Sequence, residues 1–296
     1  MLRTVETALP VDLGLTLGPL RLGGRGDPCV AIGPGGVWRA SRWPAGAATT
    51  HLRALDRCVV EVRAWGPGAE DALEAAPDLL GAADTDGDLA SGGNDVVRRM
   101  ARSRPGLRIG RTGNVLEALV PTILGQKVPG HTARASYVAM VRAHGERAPE
   151  ADLPGAPALL VPPTARWLAD QPTWAWHRWG VEQRRATTIR SAALAASRCT
   201  NAGRLATVPG VGPWTVAEVA MMAFGDPDAV SIGDYWLKHW VCHTLAGERR
   251  GSDERMLELL RPWAGQRGRV CRLIMVAGTA PPRYGPRLSV PDIRDL

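Results

Sequence analysis

Lysine is nearly missing from this chain: of 36 basic residues only Lys127 and Lys238 are lysines. A coding bias toward arginine accounts for that as well as any function does. The five cysteines (Cys29, Cys58, Cys199, Cys242 and Cys271) are scattered, odd in number and never spaced as CxxC. That pattern excludes a disulfide framework and reads as reduced core thiols. No apolar run approaches the roughly 18 residues that a membrane span needs. The opening MLRTVETALPVD lacks the apolar stretch of a signal peptide, so a cytoplasmic protein is expected. His131, His177, His239 and His243 show no metal-ligand spacing with acids or thiols, and no catalytic metal is expected. There is no internal repeat, and no nucleotide loop or nucleophile triad supports a small-molecule hydrolase.

What is present is an ordinary globular composition, 45% hydrophobic and 22% charged, in 296 residues. That length suffices for one large domain or two. The formal net charge of +7 favours a polyanionic partner such as nucleic acid and says nothing about fold.

Texture divides the chain near residue 94. Leu13–Leu22 and Val37–Arg42 carry β-type or alternating patterns between Gly and Pro clusters, and Cys58–Trp65 reads as a strand. With a helix over Ala69–Leu80, residues 1–94 read as a small α+β domain. Polar, Gly-rich Asp84–Asn94 is the candidate boundary. Residues 95–296 read as helical. Val115–Leu124 and Thr132–Ala143 place apolar residues at i, i+3 and i+4, with Gly145 where a C-cap belongs. Helices follow at Arg184–Ser197, Gly203–Val208 and Pro213–Phe224. Asp253–Trp263 comes after the N-cap candidate Ser252, and Val270–Ala277 is the last helix. The tail Pro281–Leu296 reads as coil. Trp167, Trp174, Trp176 and Trp179 are expected mostly to pack a core. The basic run Arg98–Arg111 is a DNA-facing strip or merely a solvated face.

The chemistry concentrates in Leu205–Ala217 (LATVPGVGPWTVA). Two glycines one residue apart, between helices, allow a sharp turn, after which a helix begins with free N–H groups pointing outward. Such a corner holds a phosphate without reading sequence, although any helix pair can contain it. Eighteen residues beyond Gly212 begins VSIGDYWLKHW, in which Asp234, 22 residues beyond that glycine, lies between a β-like run and a helix. Asp234 suits a helix N-cap, and a carboxylate fixed there also suits stabilising a cationic sugar. Asp226 and Asp228 sit in turn chemistry, Gly225-Asp-Pro-Asp.

The hairpin, its following helix and the downstream Asp resemble the helix-hairpin-helix DNA glycosylase superfamily. The chain is most similar to its AlkA-type 3-methyladenine DNA glycosylase II branch. Leu116–Thr132 and Gly180–Ala193 resemble further family blocks, and LTLGPL at 15–20 and AWGPGA at 64–69 suit the branch's extra α+β domain. The resemblance implies a mainly α fold: a two-lobed helical core around a cleft, with the hairpin at 209–212. It makes Asp234 the catalytic carboxylate and Trp214 and Tyr235 the walls of a base pocket, with Glu218 and Met275 at further pocket positions. Gly210, Val211, Gly212 and Thr215 would grip the DNA backbone, with Lys238 nearby and Gln126 and Lys127 where the family inserts a wedge. A monovalent cation held by hairpin carbonyls is a further implication.

Bifunctional members carry a lysine where Trp214 stands, so a monofunctional hydrolase using water is implied. The four closely spaced cysteines of iron–sulfur members are missing, so no cluster is expected. The implied partner is duplex DNA with an altered base, bound by a monomer. The implied reaction flips the nucleotide and hydrolyses its glycosidic bond, the base being an alkylated purine. Four positions depart from the pattern. Glu218 and Met275 replace aromatics, Lys127 replaces an apolar wedge, and Gly233 replaces a second acid. Glu218 reads either as a solvated helix position or as a hydrogen-bonding pocket residue. Other readings remain open: a non-catalytic helix-hairpin-helix DNA-binding protein, and a glycosylase for a different modified base.

Overall fold

The computed structural model describes residues 1–85, 89, 93–282 and 293–294. Its N-terminal part is one antiparallel sheet built from β1 (Leu2–Glu6), β2 (Val30–Gly33), β3 (Gly36–Trp43), β4 (Gly46–Asp56) and β5 (Val59–Trp65), in the order β1-β5-β4-β3-β2. Register follows the buried face: Val5 opposes Val60, Val37 opposes Leu52, and Leu52 opposes Val62. Along β5 the buried residues Val60, Val62 and Ala64 alternate with half-exposed ones, the period-2 pattern of a sheet with one face covered. The strands expected at Val37–Arg42 and Cys58–Trp65 are therefore present.

Leu13–Leu22 is not β-structure. It opens as helix α1 (Leu13–Leu17) and continues as a 3-10 turn, Gly18–Leu20. Asp12 accepts a hydrogen bond from the Leu15 amide, and Leu13, Thr16 and Leu17 turn inward. A side-chain cap together with a one-sided apolar face outweighs the local alternation.

Helices α2 (Ala69–Glu74), α3 (Ala76–Leu79), α4 (Asp95–Ser103), α5 (Val115–Leu124) and α6 (Gly130–His144) come next. A two-stranded ribbon, β6 (Glu146–Arg147) with β7 (Leu160–Val161), precedes α7 (Ala165–Asp170), α8 (Gln183–Ala195), α9 (Ala202–Leu205) and α10 (Pro213–Val219). The chain finishes with α11 (Leu237–Ala246), α12 (Asp253–Leu260) and α13 (Arg267–Ala277). Asn114 caps α5 and Ser252 caps α12 through their side chains, and Gly145 ends α6. The architecture is thus mainly helical with a small antiparallel sheet.

The two largest hydrophobic cores among the described residues make two lobes. Val5, Leu52 and Val60 of the sheet share one core with Leu119 and Ile123 of α5 and Ile189 of α8. The N-terminal sheet thus shares its main core with the first helical lobe, while Ala40 and Ala47 pack with Leu159 and Val161 in a smaller cluster. The second core joins Val97 and Met100 of α4 to Val241 of α11, Met256 and Leu260 of α12, and Ile274 of α13. Arg269 of α13 is 1% exposed and pairs with Asp84, whose other carboxyl oxygen accepts the Ile109 amide at 2.9 Å. The boundary proposed at Asp84–Asn94 and the coil at Pro281–Leu296 fall largely outside the described residues.

Trp176 and Trp179 are buried against each other and Trp167, whereas Trp174 is 69% exposed. The Arg98–Arg111 run does not form one face: Arg99 and Arg102 are exposed, but Arg108 is buried. All five cysteines are free thiols, four of them buried. Among the described residues, no helix is long and apolar enough to cross a membrane.

Candidate active site

The hairpin is a tight corner between α9 and α10. The Val211 amide donates to the Val208 carbonyl at 3.0 Å, and Gly210 takes a left-handed φ of +85°. A Cβ on Gly210 would collide with the Thr188 side chain, so glycine is what lets the corner lie against α8. Gly212 differs. Its φ of −97° is ordinary, it is exposed, and nothing lies within 4 Å of where its Cβ would be. Pro213 then starts α10, whose N-terminal amides face outward beside the two glycines.

The hairpin's other neighbours brace it from inside. Gln126 Nε2 donates to the Gly210 carbonyl at 3.0 Å and to Thr215 Oγ1 at 2.9 Å. Thr215 is 1% exposed. Both side chains thus hold the corner in shape, Thr215 from a buried position and Gln126 from a half-buried one. Val211 is buried too. Lys127 is exposed, and with a φ of +57° it has the only left-handed non-glycine backbone among the described residues. It projects from the loop after α5. Lys238 is engaged with Asp253 at 3.3 Å.

One turn along α10 from the corner, two side chains reach one four-residue turn. The Asp234 amide donates to the Ser231 carbonyl at 3.1 Å, closing Ser231–Asp234. From α10, Trp214 Nε1 donates to Asp234 Oδ2 at 3.1 Å, while Glu218 accepts from the Ser231 hydroxyl through Oε1. Residues i and i+4 of the helix thus meet residues i+3 and i of the turn, two parallel cross-links. Asp234 Oδ1 meanwhile accepts the Trp236 and Leu237 amides, each at 2.8 Å, and so caps α11. The carboxylate is held by three N–H donors and still borders open space.

That space is a cavity of about 420 Å³ between the lobes. Trp214, Glu218, Asp234 and Met275 all line it. Tyr235 does not: it is 69% exposed, edge-on to Trp236, outside the lining. The structure therefore places Tyr235 next to the Asp234 turn and does not bring it into the cavity lining with Trp214, Glu218 and Met275. Leu17 and Leu20 from the N-terminal part, and Arg272 from α13, also face the cavity. Sequence reasoning missed them, because nothing local to α1 signals that it folds across the mouth of a distant cleft.

Burial pushes the Glu218 carboxyl above the usual carboxylate range. The Ser231 hydrogen bond opposes this, nearby Asp234 adds to it, and Arg272 opposes it. Burial likewise lowers Arg272 to about 10, with Glu218 working against the shift. Because the folded value for Glu218 is raised, the stability it contributes is full below the unfolded carboxylate range. It is lost as pH rises through the raised value. Glu218→Gln removes that loss. The melting temperature of the variant relative to the parent is therefore expected to climb as pH rises above the ordinary carboxylate range. A difference that stays flat over that rise would contradict the assignment.

No family model matches the chain. The solved 3-methyladenine DNA-glycosylase from Archaeoglobus fulgidus superposes with a TM-score of 0.75 at 18% identity, covering 92% of this chain and 97% of that one. An 8-oxoguanine glycosylase/lyase from Clostridium acetobutylicum, solved with double-stranded DNA, gives 0.66 at 12% identity over 93% and 96% of the two chains. The chain thus has the two-lobed fold of the helix-hairpin-helix DNA glycosylases. In sequence it is similar to the Mycobacterium tuberculosis protein named "Probable bifunctional transcriptional activator/DNA repair enzyme AlkA", at 30% identity over 193 residues, 59% of this chain. The chain spans 36% of the length of that relative.

Proposed function

We propose that this protein is a monofunctional DNA glycosylase that everts an altered nucleotide, an alkylated purine foremost, and hydrolyses its N-glycosidic bond. The observation that carries the reading is the cavity itself. At about 420 Å³ it has room for a base, it is bordered by the Asp234 carboxylate, and Trp214 in its wall stands two residues past the exposed Gly212 of the hairpin.

Extrusion of the nucleotide costs a few kcal/mol, least for a damaged or mispaired base. The corner offsets part of this by holding a phosphate on its amides and the positive end of α10. Its carbonyls at Val208 and Gly210 already accept the Val211 amide and the Gln126 side chain, so no step is assigned to a cation there. Trp214 offers its ring to the extruded base, and a cationic alkylpurine gains roughly 0.5–2 kcal/mol over such a face. As the bond breaks, positive charge grows on the sugar, and Asp234 stabilises it and orients the attacking water. Strand cleavage through a Schiff base would need an amine beside the sugar. Neither lysine of the chain lines the cavity, which supports hydrolysis by water.

The test is release of 7-methylguanine and 3-methyladenine from methylated duplex, followed by mass spectrometry, with abasic sites scored by alkali. No base release would remove the enzyme reading. Strand cleavage without alkali would remove the monofunctional one.

Gly212→Asp separates grip from chemistry. The position tolerates a side chain, so the variant should fold normally and place an anion where the phosphate is held. Duplex affinity is expected to fall roughly tenfold or more for every sequence, damaged or not. Unchanged affinity by fluorescence anisotropy would take the hairpin out of the phosphate site.

A further inference from the structure

The cavity holds two acids in unlike settings, and only one of them has a role so far. Asp234 faces three N–H donors. Glu218 has one hydroxyl partner, Ser231, and a second carboxyl oxygen for which no protein hydrogen bond is found among the described residues. Both are placed by the same pair of elements, α10 and the Ser231–Asp234 turn, so their relative position is as rigid as that packing. The charged and titratable groups around Glu218 are Asp234 from the turn, Arg272 and Cys271 from α13, and Arg108 on the same cavity wall. Burial holds Cys271 up at about 12, so it stays a neutral thiol. Two anions side by side in one desolvated pocket repel each other, and a proton shared unequally between two such acids marks an acid and a base.

We propose that Glu218 is a general acid that protonates the departing base, which extends the enzyme from cationic alkylpurines to uncharged purine lesions. This rests on the glycosylase reading above. A quaternised purine leaves as a neutral molecule and needs no help. An uncharged purine would leave as an anion, and a proton delivered to one of its ring nitrogens removes that charge. In the step, the Glu218 O–H proton passes to the base as the C1′–N bond breaks, its electron pair staying on the base nitrogen. Water supplies hydroxyl to C1′ and gives up a proton to Asp234 or bulk solvent, and Glu218 is reprotonated from solvent. The net reaction consumes one water and produces free base and an abasic sugar.

The experiment compares one cationic lesion with three uncharged ones in otherwise identical duplexes: 7-methylguanine against hypoxanthine, 8-oxoguanine and 1,N6-ethenoadenine. Single-turnover release is measured for the parent, Glu218→Gln and Asp234→Asn. If Glu218 is the acid, the parent releases at least one uncharged base. Glu218→Gln then lowers that release roughly 10²–10⁴-fold, the usual range for proton transfer, and lowers 7-methylguanine release far less. Asp234→Asn lowers both. The parent's own profile needs no variant: uncharged-base release should fall tenfold per pH unit above the Glu218 titration, with 7-methylguanine release lacking that limb. Equal loss on both lesion types in a Glu218→Gln protein that melts normally would overturn the proposal. So would a parent that releases 7-methylguanine and no uncharged base. Either result leaves the glycosylase reading standing, whereas a parent that releases nothing at all ends both.

Discussion

Asp234→Asn should keep duplex binding and the fold while base release drops by roughly 10²–10³-fold or more, the scale set by losing one preorganised electrostatic group. The structure explains why asparagine is the informative choice. Asp234 has two jobs on two oxygens: Oδ1 caps α11, and Oδ2 faces Trp214 and the cavity. Asparagine is about as good an N-cap as aspartate, so its carbonyl oxygen continues to accept the Trp236 and Leu237 amides. Its amide nitrogen then points at Trp214 Nε1, donor against donor, and carries no charge for the sugar cation. Asp234→Ala would confound the two jobs, since loss of the cap alone costs about 0.5–2 kcal/mol. Single-turnover release, paired with anisotropy on the same duplex and a melting curve, distinguishes the jobs. Release within tenfold of the parent would show that the carboxylate is only a cap.

Much of this architecture was legible because its signals are local. Val115–Leu124 is a helix with the boundaries its periodicity predicts, and Gly145 ends the helix before it. The hairpin's two glycines, the helix opened by Pro213 and the spacing to Asp234 all lie within one stretch of chain. What was not legible has the opposite property. Gln126 and Thr215 are 89 residues apart in sequence, and nothing local shows that they hydrogen-bond each other at 2.9 Å behind the hairpin. Glu218 could be read as solvated or as part of the pocket, and only the cavity it shares with Leu17 of α1 and Arg272 of α13 shows that it is the latter. Tyr235 directly follows Asp234, yet Asp234 lines the cavity and Tyr235 is exposed outside the lining. Leu17 and Leu20 reach the cavity from a segment 200 residues away, and no local pattern encodes that.

Asp84→Ala is expected to cost about 3–5 kcal/mol, the range for stranding one partner of a buried ion pair. Arg269 keeps one hydrogen bond, from Nε to Gln266 Oε1 at 2.7 Å, but its charge is left in a site 1% exposed to water. The Ile109 amide loses its acceptor as well. For a chain of this size such a loss corresponds to a fall of about 6–15 °C in melting temperature. The double variant Asp84→Ala with Arg269→Met separates burial of a charge from burial of a shape. Removing both charges should recover most of the loss, because a matched apolar pair is often as stable as the ion pair it replaces. A single variant melting within 2 °C or so of the parent would show that water reaches Arg269. The consequence extends to the cleft, since Arg269 lies on α13 with Arg272 and Met275, one and two turns before the residues that line the cavity. Asp84 thereby joins the end of the N-terminal part to the helix that carries Arg272 and Met275 to the cavity wall.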